Sequence, residues 1–196
     1  MARTPDPIQE LVTAARRKQI LDAATQVFAE KGFHRATIKD IAHVAGIADG
    51  TIYTYFSDKR DLFRATAQEG WNRFLKQIRE IAESAEPAGV RMLRVIDVGF
   101  RNLKDSLPLL RGMLFESSQM RILQHSLLEL CRLLDRMFED RPKDAPRLAQ
   151  DPAQRRFLIR VTVIGVLFSA ALAEPGDVDR EIDLLKGTII RMVGGN

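Results

Sequence analysis

Between Thr37 and Lys59 the chain reads TIKDIAHVAGIADGTIYTYFSDK, with hydroxyls, glycines and a terminal lysine at short intervals. These residue types suit the holding of a polyanion rather than bond-breaking. Thr51, Tyr53 and Tyr55 would carry hydroxyl donors on or beside a helix of about two turns, and Gly50 near its start would let a phosphate backbone come close. Lys59 would open the next helix, where its amine and the backbone amides could hold a phosphate together. Thr37, by its hydroxyl or its amide, could do the same one helix earlier. Asp49, Gly50, Thr51 and Thr54 fall near the start of the third helix, the position from which base edges in a major groove are reached.

The elements that must position these groups are legible around them. Ile20, Leu21, Ala24, Val27 and Phe28 recur at helical spacing and predict a first helix over 14–31. Gly32 followed by Phe33 is a helix stop, glycine taking the left-handed conformation. Thr37 with Asp40 three residues on predicts a capping box, and Ala45-Gly46-Ile47 ends that helix after two turns. A third short helix is expected over 49–56, and Ser57-Asp58 caps a fourth. Helices of two turns are marginal alone in water, so they must pack on the first. Residues 14–60 therefore read as a three-helix unit ending in a helix-turn-helix, preceded by an arm over 1–13 that holds Pro5 and Pro7.

The run from Arg17 to Phe63 resembles the N-terminal domain of the TetR/AcrR family of bacterial transcriptional regulators. Ile20 to Ala24, Phe28, Lys31-Gly32-Phe33, Thr37 to Ala42, Ala45-Gly46, Gly50 to Tyr53, Tyr55-Phe56, Lys59 and Leu62-Phe63 carry that resemblance in register. It implies an all-helical homodimer that places its third helices in successive major grooves of a pseudo-palindromic operator. A C-terminal domain would bind a small molecule that weakens DNA binding. It also favours phosphate contacts for Tyr53 and Tyr55. Two positions depart from the pattern. Ala48 stands where a capping serine or threonine is common, and Asp49 follows it; the acid either caps the third helix, the favoured reading, or accepts a hydrogen bond from a cytosine.

The remaining 61–196 are expected to form a larger ligand-binding and dimerisation bundle, making an all-α chain of about nine helices with no cofactor. Breaks are expected at Pro87, at Pro108, over the proline-rich 141–152, and at Glu174-Pro175-Gly176. The run from Phe157 to Ala173 is apolar almost all round and must be covered on more than one side. Phe157, Val161, Ile164, Gly165 and Phe168, with Ile182, Leu185 and Ile189 of the last helix, are the expected four-helix dimer seam. Trp71, Phe74, Phe100, Met113, Glu116, Met120, His125 and Phe168 are the candidate lining of a mainly apolar ligand pocket, with Phe115 beside them.

Composition bounds the alternatives. The 196 residues are 45% hydrophobic and 29% charged, a globular mixture. Ten basic and eight acidic side chains fall within the first 64 residues, so any nucleic-acid footprint is local rather than a broad basic field. One cysteine, Cys131, excludes a disulfide framework and a multi-cysteine zinc site, and is expected to be a small core residue. His34, His43 and His125 lack metal-ligand spacing, so no metal site is expected. No phosphate-binding glycine loop or strand-turn-helix nucleophile motif occurs, which argues against an enzyme. No leader and no run of about 20 apolar residues is seen, and a cytoplasmic protein is expected. The competing class is a helical adaptor that binds only protein.

Overall fold

A computed structural model describes residues 6–114, 120–139, 151–174 and 176–194. The described chain is helical, in eight segments: α1 (Pro7–Arg35), α2 (Ile38–Ala45), α3 (Asp49–Tyr55), α4 (Lys59–Ala82), α5 (Ala88–Leu114), α6 (Met120–Glu139), α7 (Pro152–Leu172) and α8 (Val178–Gly194). None of these helices is long and apolar enough to cross a membrane. The chain divides into two units, 1–70 and 71–196.

In the first unit, Ile20, Ala24, Val27 and Phe28 of α1 meet Ile41 of α2, Ile52 of α3, and Leu62 and Phe63 of α4 in a buried core. Phe28 packs edge-on against Phe63 at 5.1 Å between ring centroids, and Phe33 lies 4.8 Å from the same ring. The expected stops are present. Gly32 takes φ 70° and Gly46 takes φ 65°, both left-handed, as the end of a helix requires of a residue without Cβ. The regular part of α1 ends at Gly32, and a further turn carries it to Arg35.

Two boundaries differ from the sequence expectation. Helix α1 begins at Pro7, so residues 7–13 of the expected arm are helical. Asp6 accepts a hydrogen bond from the Ile8 amide at 3.1 Å, and Pro7 fills the first helical position, where its missing N–H costs nothing. Residues 1–5 lie outside the described set. The second difference is Pro108, expected as a break but lying inside α5, which merges two expected helices and gives eight rather than nine. Interior proline costs about 3 kcal/mol. The buried Leu103, Leu107, Leu109 and Leu110 on both sides of it hold the helix in place.

In the second unit α6 packs on α7 and α5 on α8, with α5 also against α6 and α7. Phe74, Ile78, Met92, Val95, Ile96, Phe100, Leu133, Met137, Ile159 and Ala170 fill its core. Ion pairs cross the helices. Arg155 of α7 is nearly buried and reaches Asp135 at 2.7 Å and Glu139 at 2.6 Å on α6. Lys186 of α8 holds Asp97 of α5 at 2.7 Å and keeps that carboxyl below its ordinary range. Arg111 of α5 donates to the carbonyls of Ala171 and Ala173 at the end of α7, at 3.0 and 2.6 Å.

Candidate nucleic-acid interface

Helix α3 stands on two anchors. Ile52 and Phe56 are buried in the first unit, and the Arg17 guanidinium lies 4.8 Å above the Phe56 ring. With that face fixed, the helical repeat turns Asp49, Gly50, Tyr53 and Thr54 outward; all four are exposed, Tyr53 by 56%. Thr51 and Tyr55 are half-buried at the flanks. A Cβ built at Gly50 would meet no heavy atom within 4 Å. The chain's own packing therefore does not demand glycine there.

Asp49 does not cap α3. The N-cap position is Ala48, whose methyl has no acceptor, and Asp49 sits one residue inside, in the first turn. The capping role favoured from sequence fails because the helix starts one residue too early for it, at Asp49 itself. The carboxylate instead stands exposed beside Gly50.

Helix α2 holds α3 at its angle. The capping box is complete: the Thr37 hydroxyl accepts from the Asp40 amide at 3.1 Å, and the Asp40 carboxylate accepts from the Thr37 amide at 2.9 Å and from its hydroxyl at 2.8 Å. Lys31 adds an ion pair to Asp40 at 2.7 Å. The Lys31 hydrogen bond, with those from Thr37, pulls the Asp40 carboxyl down to about 2. Gln19 of α1 donates to the Ala45 carbonyl at the other end of α2, at 2.6 Å. Thr37 is thus exposed, but both of its donors are already given to Asp40, which leaves it neither of the phosphate contacts considered from sequence.

Lys59 is also engaged elsewhere. Its ammonium donates to the carbonyls of Phe33, His34 and Ala36 at 2.9, 3.4 and 3.0 Å, and lies 4.6 Å from the Phe33 ring centroid. Sequence spacing could not show this, because the partners lie more than 20 residues away. Among the basic residues before α2, Lys18 pairs with Asp22 and Arg16 bonds Gln19. Lys39 is exposed on the first turn of α2, and a basic residue at a helix start is the sequence signal for it.

In the second unit the described candidate pocket residues divide between core and surface. Phe74 and Phe100 are core, His125 is exposed, and Phe168 shows 44% of its surface on the outer face of α7. Phe115 and Glu116 lie outside the described residues, as do the side chains of Met113 and Met120. Trp71 packs edge-on against Phe74 at 5.4 Å, and its buried indole N–H has no acceptor among the described residues. A groove of about 450 Å³ lies between α4 and α5, lined by Gln77, Glu80, Arg94, Val98, Arg101 and Asp105 among others; it shares no residue with the expected pocket. Burial raises the Cys131 thiol above its ordinary range, as befits a core residue rather than a thiolate sensor.

The expected dimer seam divides. Phe157, Val161, Ile164, Gly165 and Phe168 all stand on the exposed side of α7, with Leu172 continuing their stripe. Ile182 is buried inside the unit, and Leu185 and Ile189 are half-buried; α8 turns Leu184 and Met192 outward instead.

Residues 20–66 match the family model for bacterial regulatory proteins of the tetR family. Over this segment the chain is similar to the TetR family. A fatty acid metabolism regulator protein of Bacillus subtilis is 38% identical over 82 residues, which are 42% of this chain and 42% of that one. The chain thus spans less than half the length of that curated relative. Solved structures reach further. The fatty acid degradation regulator FadR of Bacillus halodurans superposes with a TM-score of 0.65 at 26% identity, over 91% of this chain and 98% of that one. FadR of Bacillus subtilis, solved with stearoyl-CoA, does so with a TM-score of 0.67 at 24% identity, over 91% and 98%. The TetR-type architecture, an N-terminal helix-turn-helix and a helical C-terminal bundle, is therefore the fold of this protein.

Proposed function

We propose that this protein is a dimeric, ligand-responsive transcriptional regulator, acting as a repressor in the cytoplasm. The observation that carries the reading is the outward face of α3: Asp49, Gly50, Tyr53 and Thr54 exposed on a helix anchored by Ile52 and Phe56. Gly50, open on its outer side, lets the α3 backbone lie close against a duplex. Tyr53 and Tyr55 contact phosphate; Asp49, Thr51 and Thr54 face base edges. Two copies, joined along the α7 stripe and α8, hold their α3 helices about one DNA turn apart, ~34–36 Å.

The effector is a mainly apolar molecule bound in the second unit, and the relatives named for fatty acid metabolism favour a long-chain acyl thioester. Trp71, whose buried indole N–H beside Phe74 has no acceptor among the described residues, is suited to donate to the carbonyl of such a ligand. Effector binding releases the operator only as far as it prefers the non-binding conformation.

The test is a titration against a labelled fragment from upstream of the protein's own gene, with excess competitor DNA and at two salt concentrations. A competitor-resistant footprint of two-fold symmetry, released by stearoyl-CoA, is the expected result. Absence of binding to any DNA at low salt would overturn the regulator reading in favour of a protein-binding adaptor. Trp71 is the sole tryptophan, so its fluorescence reports effector binding without DNA.

A further inference from the structure

Helix α1 stops its regular hydrogen bonding where Gly32 takes φ 70°, so the carbonyls just beyond lie at the negative end of a helix. Three of these, on Phe33, His34 and Ala36, accept from the Lys59 ammonium. An ammonium has three donors, and all three are spent. The ring of Phe33 stacks below the charge and is itself fixed against Phe28 and Phe63. The next residue after Ala36 is Thr37, held by Asp40, which Lys31 holds in turn. Lys59 is thus the link between the first residue of α4 and the turn from which α2, and after it α3, departs.

We propose that Lys59 is a positioning residue for DNA binding: it latches the start of α4 to the α1–α2 turn, sets the angle of the helix-turn-helix, and takes no phosphate. To reach a phosphate it would have to give up three charge-assisted hydrogen bonds and the aromatic face. The proposal rests on the regulator reading above.

Two variants of the full chain, Lys59→Arg and Lys59→Met, test it. The probe is a duplex recovered by the wild-type protein from a random library. Arginine matches phosphate in a planar fork, but that fork cannot converge on three carbonyls as a tetrahedral ammonium does. The latch predicts that Lys59→Arg binds the duplex about tenfold more weakly, with the slope of log affinity against log salt unchanged in both variants. A phosphate contact predicts the reverse: Lys59→Arg as tight as wild type, and a slope smaller by about one in Lys59→Met; that result overturns the proposal. In the DNA-free protein, amide exchange should quicken at residues 33–37 in both variants. Unchanged exchange there also overturns the proposal. Failure of the wild-type protein to select any duplex would instead overturn the regulator reading, and exchange, read without DNA, tells the two failures apart.

Discussion

On the proposed dimer, replacing Phe168 with alanine should separate the subunits. The ring leaves 44% of its surface uncovered on α7, between Ile164 and Leu172 on the same stripe. An aromatic side chain offers about 200 Å² to burial, so about 90 Å² of Phe168 awaits a partner. At ~25 cal/mol per Å² that area is worth about 2 kcal/mol. Alanine recovers part of it, but a two-fold axis counts the loss twice, so the dimer should weaken by about 3 kcal/mol, on the order of 100-fold in Kd. Sedimentation equilibrium over a concentration series measures this directly. Leu11→Ala is the control, since Leu11 is more exposed, at 71%, but lies in the other unit. An unchanged dissociation constant for Phe168→Ala, or an equal loss from Leu11→Ala, would refute the assignment of the stripe.

Other outcomes follow from the same structure. Arg155→Met strands the Asp135 carboxylate, only 13% exposed, beside a more distant Arg156; thermal unfolding should show a loss of about 3 kcal/mol, as for breaking a buried pair. Thr37→Ala removes the cap of α2 and should cost about 1 kcal/mol in denaturant unfolding, without altering sequence preference. The Asp40 carboxyl titrates near 2 against an ordinary 3.8, so its contribution is complete above about pH 4 and is lost as pH falls toward 2; a carbon-detected titration midpoint near 4 would contradict the Lys31 and Thr37 bonds. Tyr53→Phe should weaken binding evenly across DNA sequences, whereas Asp49→Ala and Thr51→Ala should change which sequences are selected.

The helix-turn-helix was legible because its punctuation is local. Gly32, Gly46 and the Thr37–Asp40 box each declare a boundary within four residues, and each is found in place. The early start of α1 is equally local, since Asp6-Pro7 is a helix-opening pair, but Pro5 and Pro7 so near the terminus also fit an arm. Pro108 departs in the opposite sense, since burial of its leucine neighbours outweighs a local rule. What sequence could not give is where donors are spent. Lys59 and Thr37 have the right types for phosphate contact, but only the fold reveals the carbonyls and the carboxylate that already hold them. For the ligand site, large apolar residues do not discriminate, because a core and a pocket draw on the same residue types; Phe74 and Phe100 are buried as either would require.

Arg111 grips α7 by the backbone carbonyls of Ala171 and Ala173, not by any side chain. A carbonyl is present whatever residue stands at the position. Mutations along the outer stripe of α7 can therefore accumulate without loosening this attachment to α5. On the dimer proposed above, the specificity of pairing can be rewritten on the surface of α7 while its anchorage to α5 stays the same.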